Sequence, residues 1–250
     1  MKKMIKIHKN LGETPLETIE RFKRENPEYA HLKMTYAGRL DPMAEGQLIL
    51  LVGDECKNKE KYLKLDKEYD FEVLWGFSTD THDILGLIDS SSDFSKNYLP
   101  NSNLIKESLK SFTGKIEQEY PLYSSKIIAN NLEKLNKKII QDSFKPRQLI
   151  EIYSLEFLGN YFLDKDELKE NIFKRISLLS SNNNFRQKVI LDKWLEVLNQ
   201  ISHDKFYISK HKTKCSSGAY VRKLSYDLGV KLGFPTLAFG IKRITLLYQK

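Results

Sequence analysis

Met34-Thr35-Tyr36-Ala37-Gly38-Arg39-Leu40-Asp41-Pro42-Met43-Ala44-Glu45-Gly46 runs directly into the apolar stretch Leu48-Ile49-Leu50-Leu51-Val52. A short, continuous apolar run reads as a buried strand, so the loop before it delivers a polar group to the edge of a core. That group is Asp41. Pro42 biases it toward extended backbone and cannot donate within a central sheet, while Gly38 and Gly46 permit turn conformations that other residues resist. An isolated Asp-Pro is ordinary turn chemistry. The functional weight of Asp41 therefore depends on the partners that the rest of the chain supplies.

Toward the N-terminus, Ile5-Lys6-Ile7 alternates as a short strand and leads into the loop Lys9-Asn10-Leu11-Gly12. Lys9 stands at the strand's end, where a loop cation can meet phosphate. Thr14-Pro15-Leu16-Glu17 has the form of a capping box with Thr14 as N-cap, which predicts a helix with Leu16, Ile19 and Phe22 on its apolar face, ending before Pro27. Beyond the central loop, Lys57, Lys59, Lys61, Lys64 and Lys67 interleave with Tyr62 and Leu65, a spacing that predicts a basic amphipathic helix. Tyr69, Phe71, Val73 and Trp75 then alternate with Asp70, Glu72 and Leu74, the period of a strand opened by Tyr69. An aromatic at a strand end either stacks on a nucleobase or joins the core.

Thr79-Asp80-Thr81-His82-Asp83 packs two carboxylates, two hydroxyls and an imidazole into five residues. The other histidines are scattered without ligand spacing, so the stretch reads as a polar turn rather than a metal site, with Asp83 available to orient an arginine. A Ser- and Asn-rich connection over 90–110 ends in a short helix around Leu104 to Phe112, and no convincing domain break falls there. Glu119-Tyr120-Pro121-Leu122-Tyr123-Ser124-Ser125-Lys126 reads as a polar, aromatic-bearing loop, and Ile150 to Phe157 alternates as a strand. From about 160 to 205 the pattern turns helical. Leu168, Ile172, Ile176 and Leu179 mark one helix face and Ile190, Trp194, Val197 and Ile201 another, separated by Ser180-Ser181-Asn182-Asn183-Asn184. Phe206-Tyr207-Ile208 resumes the strand pattern. Val221, Leu224, Leu228 and Leu232 form a helical stripe closed by Gly233, with Arg222 in the first turn, one position off the stripe and close to backbone N–H groups that favour anions. Phe239 to Leu246 predicts a final strand.

Composition narrows the partners. The 250 residues are 40% hydrophobic and 11% aromatic, enough for a real core, and carry a net charge of +8, which favours a polyanion such as nucleic acid over an anionic membrane surface. Two cysteines, Cys56 and Cys215, supply neither a disulfide framework nor metal-type spacing. The N-terminus lacks a signal peptide's apolar run and no segment reaches the length of a membrane span; a cytoplasmic, monomeric protein is expected.

These blocks together resemble the TruB-type pseudouridine synthases. Gly38-Arg39-Leu40-Asp41-Pro42-Met43-Ala44-Glu45-Gly46 is similar to the family's G-x-L-D-P-x-A-x-G signature, and Asp66-Lys67-Glu68-Tyr69 to its Lys-x-Tyr segment. Thr79-Asp80-Thr81-His82-Asp83 resembles its Thr-Asp-Thr-x-Asp turn, and Cys215-Ser216-Ser217-Gly218-Ala219-Tyr220-Val221-Arg222 its Cys-Ser-x-Gly-x-Tyr-x-Arg block. Tyr123-Ser124-Ser125-Lys126 and Ile241-Lys242-Arg243-Ile244 fit as well. The likeness covers roughly 5–90, 111–157 and 206–247, and ordered blocks around one aspartate are far more specific than any block alone.

The resemblance implies an α+β catalytic domain over residues 1–250, built on a mixed, mainly antiparallel sheet with an active-site cleft across its middle. The helical pair at about 160–205 is an insertion with no family counterpart, a candidate for contacting RNA. The implied reaction isomerises a uridine of RNA, at uridine 55 in the T arm of tRNA, with no cofactor and no metal. Asp41 is then the essential carboxylate, acting as nucleophile or by stabilising a detached base. Tyr69 stacks on the flipped uracil, and Arg222 pairs with Asp41 and keeps it ionised where water is excluded. Lys9, Tyr36, Gly38, Arg39, Asp83 and Ile241 are the expected contacts to RNA or substrate. Tyr36 stands at the family's T-loop-supporting histidine and keeps the ability to stack. The chain ends near the close of the family's catalytic domain, so weaker RNA binding is expected without the C-terminal RNA-binding domain of many relatives. The competing readings are a non-catalytic RNA chaperone and a metal-dependent nuclease or phosphoesterase using Asp80, His82 and Asp83.

Overall fold

The computed structural model describes residues 2–92, 101–123 and 146–247. The Ser124-Ser125-Lys126 part of the loop read from the sequence lies outside them. The apolar run after Asp41 forms strand β3 (Ala44–Val52), buried from Leu48 onward. One edge of β3 pairs antiparallel with β1 (Met4–Lys9). Its other edge is shared: β10 (Thr236–Leu247) pairs parallel with Ala44, Glu45 and Gly46, and the short β2 (Met34–Ala37) pairs antiparallel with Ile49 to Val52. The sheet continues through β4 (Asp66–Trp75), β9 (Lys205–Cys215), β8 (Arg147–Asp164) and β7 (Gly114–Glu119), giving the order β1-β3-β10-β4-β9-β8-β7. The β10/β3 contact is parallel and every other pairing in this sheet is antiparallel. A separate two-stranded ribbon joins β5 (Phe77–Thr79) to β6 (Ile88–Ser91).

The pleat sends alternate residues of β4 to opposite cores. Tyr69, Phe71, Val73 and Trp75 pack with Val221, Leu224 and Leu228 of α6 (Val221–Leu232) and with Ile105 and Leu109 of α3 (Ser102–Leu109). Leu74 goes the other way. It joins Ile208, Leu237 and Phe239 beneath α4 (Lys165–Ser177) and α5 (Gln187–Gln200). The stripes Leu168, Ile172, Ile176, Leu179 and Ile190, Trp194, Val197, Ile201 are all buried in that core. The helical segment therefore lies on one face of the sheet. Its bounds are tighter than 160–205, because β8 continues to Asp164 and β9 begins at Lys205.

Helix α1 (Pro15–Glu25) covers the β1/β3 end. Its capping box is complete: Glu17 N donates to Thr14 Oγ1 at 3.2 Å, and Thr14 N to Glu17 Oε2 at 2.7 Å. The buried face is Pro15, Thr18, Ile19 and Phe22, and Leu16 is 62% exposed. Ile19 and Phe22 are buried as expected and Leu16 is not, since 15, 18, 19 and 22 keep closer to a 3.6-residue turn than 16, 19 and 22. The lysine-rich segment is also less helical than expected. A 3-10 turn (Gly53–Asn58) precedes the five-residue α2 (Lys59–Leu63), and Lys67 already belongs to β4. Tyr69 thus sits inside its strand rather than opening it. Among the described residues, no helix is long and apolar enough to cross a membrane.

Gly46 shows how tightly the sheet is joined beside Asp41. It pairs with Lys9 on one side and Arg243 on the other. Its φ is +114°, and a Cβ there would lie 2.2 Å from the Arg243 carbonyl oxygen. Gly46→Ala combines strained backbone with a forced shift of a neighbouring strand, and is expected to lower stability by about 2–5 kcal/mol in urea denaturation.

Candidate active site

The loop between β2 and β3 leaves the sheet at Gly38, whose φ of +74° turns the chain, and re-enters it after a turn closed by Ala44 N donating to Asp41 O at 3.0 Å. Its far side is pinned by Gly12 N donating to Pro42 O at 2.9 Å. Asp41 therefore emerges just before β3 begins, where Ala44 pairs with Ile241 in the middle of β10, and its carboxylate stays about one-third exposed.

Arg222 reaches it from the first turn of α6. Nε donates to Asp41 Oδ2 at 2.9 Å and Nη1 donates to Thr81 O at 2.6 Å. Arg222 is 4% exposed, although it sits one position off the helix stripe. Burial opposes its charge, but the carboxylates of Asp41 and Asp83 outweigh that and raise its affinity for its proton. Asp83 Oδ2 faces the same guanidinium at 3.7 Å. Asp83 also accepts from Thr81 Oγ1 at 2.8 Å and from Leu85 N at 2.9 Å. Burial, followed by repulsion from Asp41, still pushes its carboxyl above the usual aspartate range, against Arg222 and those two donors.

Tyr69 lines the same cleft, nearly buried, with its phenol pushed up by burial and so held protonated. The cleft has a volume of about 530 Å³, the size of small-molecule pockets. Asp41, Tyr69, Arg222, Gly38, Arg39 and Ile241 all line it. The sequence reading thus meets at one place for six residues.

Three other expected contacts go elsewhere. Lys9 is fully buried, and its ammonium donates to Glu13 O at 2.5 Å and Asn10 O at 3.0 Å. Burial lowers its pKa to about 8. It holds the loop of residues 9–13 together and is not placed to meet phosphate. Asp83 is buried too, and faces Arg222, in keeping with its other expected part as a carboxylate that orients an arginine. Tyr36 stands on β2, half-buried against the α1 core with Lys59 5.0 Å over its ring, and is outside the cleft lining.

Arg243 was missed. It is 1% exposed and lines the cleft. Nη2 donates to Gly38 O at 3.0 Å, Nη1 to Arg39 O at 3.3 Å and Nε to Gln47 O at 2.7 Å. One guanidinium thereby fixes both ends of the Asp41 loop. The available signal was an arginine at an inward position of the closing strand, in phase with Ile241. Arg243→Met removes a donor from each of three carbonyls, and is expected to lower turnover by about tenfold or more and stability by about 2–4 kcal/mol, read by single-turnover kinetics and urea melts. Lys67 is a second basic residue in the wall, its pKa lowered to about 8 by burial and by Arg243, with Nζ donating to Leu63 O at 2.9 Å.

The acidic turn holds its own side chains. Asp80 accepts from Leu87 N at 2.9 Å and from Arg186 Nη1 at 2.8 Å. His82, at a φ of +62°, stacks on Tyr226 at 4.2 Å between ring centroids. Among the described residues, no three His, Cys, Asp or Glu side chains converge as metal ligands. Asp80 and Asp83 each face a different arginine, an arrangement that builds a scaffold for Arg222 rather than a cation site.

Residues 25–169 match the model of the TruB family pseudouridylate synthase N-terminal domain. The tRNA pseudouridine synthase B of Aquifex aeolicus is 30% identical over 244 residues, which are 96% of this chain and 67% of that protein. Its counterpart in Protochlamydia amoebophila is 29% identical over 202 residues, 80% of this chain and 58% of its own length. The chain therefore spans roughly three-fifths to two-thirds of these curated relatives. A solved Cbf5-Nop10-Gar1 complex contains a chain of similar fold, with a TM-score of 0.56 at 16% identity, covering 97% of this chain and 48% of that one. An H/ACA RNP bound to a substrate RNA containing 2'-deoxyuridine gives a TM-score of 0.53 at 14% identity. With more than half its residues matched by the family model, and the Asp41 loop, Tyr69 and the Thr79 to Asp83 turn inside the matched span, the chain belongs to the TruB family of pseudouridylate synthases.

Proposed function

We propose that this chain isomerises a uridine in RNA to pseudouridine, at uridine 55 in the T arm of tRNA. The observation that carries the reading is the Asp41 carboxylate, partly open to the cleft, paired at 2.9 Å with a buried arginine and sharing that cleft with Tyr69. The names of the similar proteins, tRNA pseudouridine synthase B, support tRNA as the substrate class.

The reaction breaks the bond from C1′ to N1, rotates the uracil and forms a bond from C1′ to C5. The C5 proton leaves and N1 gains one, so the base changes its attachment and not its composition. No oxidant or reductant enters that balance. What the site must provide is a carboxylate able to attack the nucleoside or to stabilise a detached-base intermediate, and Arg222, donating to Asp41 Oδ2 at 2.9 Å, orients that carboxylate for either role. A base stacked in folded RNA is out of reach, so it must be extruded at a cost of a few kcal/mol. The flat ring of Tyr69, protonated and fixed by its strand, offsets part of that cost by stacking. Arg39 and Lys64 at the rim supply phosphate attraction, which weakens as salt rises.

The test is tritium release from a T-arm stem-loop RNA labelled at C5 of uridine. Release of one equivalent of tritium, unaffected by a chelator, is the expected result. RNA bound and remodelled without release would instead identify a chaperone, and chelator-sensitive cleavage would identify a nuclease.

A further inference from the structure

The helical pair α4/α5 carries charge and a polar loop, and the sequence offers it as an arm for RNA. Its contacts run inward instead. Arg186, at the start of α5, grips Asp80 with both ends of its guanidinium, Nη1 to Oδ2 at 2.8 Å and Nη2 to Oδ1 at 3.2 Å. Trp194 Nε1 donates to Ile84 O at 3.2 Å, just past the same turn. Asn183 Nδ2 donates to Glu17 Oε1 at 2.9 Å, on the glutamate of the α1 capping box. Leu178 lies so close to Gly12 that a Cβ there would come within 2.6 Å of the leucine Cβ, and Gly12 is the residue whose N–H holds Pro42 O.

The Arg186 and Trp194 contacts end on the turn that positions Arg222, and the Leu178 contact ends on Gly12, which pins the Asp41 loop through Pro42 O. Asp80 Oδ1 accepts from Leu87 N and Asp80 N donates to Leu87 O at 3.1 Å, which closes the turn. Thr79 Oγ1 donates to Asp83 O at 2.7 Å inside it. The turn then presents Thr81 O and Asp83 to Arg222, and Arg222 meets Asp41. Among the described residues, the two non-glycine residues with positive φ are His82 at +62° and Arg186 at +63°. Both stand at this junction, one on each side, where surrounding structure must hold them against their local preference.

We infer that Arg186 is a positioning residue, through which α4/α5 braces the Thr79 to Asp83 turn and so fixes Arg222 against Asp41. The inference rests on the proposed isomerase reading for its kinetic consequence and on geometry alone for its structural one. Bidentate arginine-carboxylate pairs impose orientation as well as attraction, and a displacement of about 1 Å at a reacting group costs up to about a hundredfold in rate.

The experiment compares wild type, Arg186→Asn and Arg186→Lys. Asparagine tolerates positive φ, so it removes the guanidinium without adding backbone strain. Tritium release from the T-arm RNA is measured together with hydrogen exchange at the amides of His82, Leu85 and Leu87. The expected result is a 10- to 100-fold lower kcat for Arg186→Asn with KM changed less than about threefold, partial recovery in Arg186→Lys, and faster exchange confined to the turn. Asp80→Asn should add nothing to Arg186→Asn in the double variant. An unchanged kcat in the variant of an active wild type would overturn the inference. So would a loss confined to KM that scales with salt, which would place Arg186 on RNA phosphate. Should the wild type show no turnover, the isomerase reading fails, and exchange decides the brace by itself: acceleration at the turn supports it and unaltered exchange refutes it.

Discussion

Replacing Asp41 with alanine is expected to reduce pseudouridine formation by about four orders of magnitude or more while the protein stays folded and keeps most of its affinity for RNA. The asymmetry follows from the way Arg222 is held. Without Asp41, the guanidinium still donates to Thr81 O and still faces Asp83 at 3.7 Å, so no buried charge is left without a counter-charge. Asp41 itself is about one-third exposed, and little packing goes with it. Affinity is carried by the basic rim and by phosphate, not by one anion. Asp41→Asn keeps the shape and loses the charge. It should be nearly as inactive, because neither attack on the nucleoside nor stabilisation of a detached base is within reach of a neutral amide. Single-turnover tritium release and filter binding on the same RNA measure the two quantities separately; turnover retained in either variant would remove Asp41 from the chemistry.

Arg222→Met reverses the balance and should cost about 3–5 kcal/mol of stability as well as activity, because it leaves buried carboxylate without its cation. The penalty carries a pH signature. Asp83 already titrates above its ordinary value of 3.8 in the folded protein, chiefly through burial, with Arg222 as the main opposing influence. A carboxyl whose folded value is raised binds more protons folded than unfolded, so its contribution to stability is present at low pH and is lost as pH rises through the folded value. Removing Arg222 enlarges that shift. The deficit of Arg222→Met relative to wild type should therefore be larger at pH 8 than at pH 5, as measured by urea denaturation. Arg222→Lys should recover little, since one ammonium cannot reach Asp41 Oδ2 and Thr81 O together as Nε and Nη1 do.

What could be read from the sequence was whatever depends on near neighbours. The Thr14 capping box, the apolar stripes of α4 and α5 and the Gly233 stop of α6 are local, and each stands in the structure as its spacing implied. Asp41, Tyr69 and Arg222 were legible for another reason, that ordered blocks resemble a family. Nothing local announces that residues 41 and 222 meet. The misses share a cause. Lys9 and Arg243 carry charges that sequence reasoning assigns to solvent or substrate, yet both are buried and spend their polar atoms on the protein; Asp83, expected both as a substrate contact and as a carboxylate orienting an arginine, stands beside Arg222 in the second of those places. Arg243 bonds to carbonyls about 200 residues away, on a strand brought alongside by the parallel β10/β3 contact, and no periodicity encodes that meeting. Tyr36 was expected at the substrate and faces the α1 core, because the four-residue β2 pairs with the far half of β3, away from the cleft.

Catalysis as proposed requires that an extruded uridine meet Asp41 over Tyr69. That requirement is tested most directly by a crystal structure of the protein with a T-arm RNA carrying 5-fluorouridine, whose C5 has no proton to release. The expected structure has the base out of its stack and lying flat on the Tyr69 ring, its C1′ or C6 within about 3.5 Å of an Asp41 oxygen, with Arg222 still bound to that carboxylate. A fluorinated base still stacked in the RNA, or RNA seated on the face that carries α4 and α5, would contradict it.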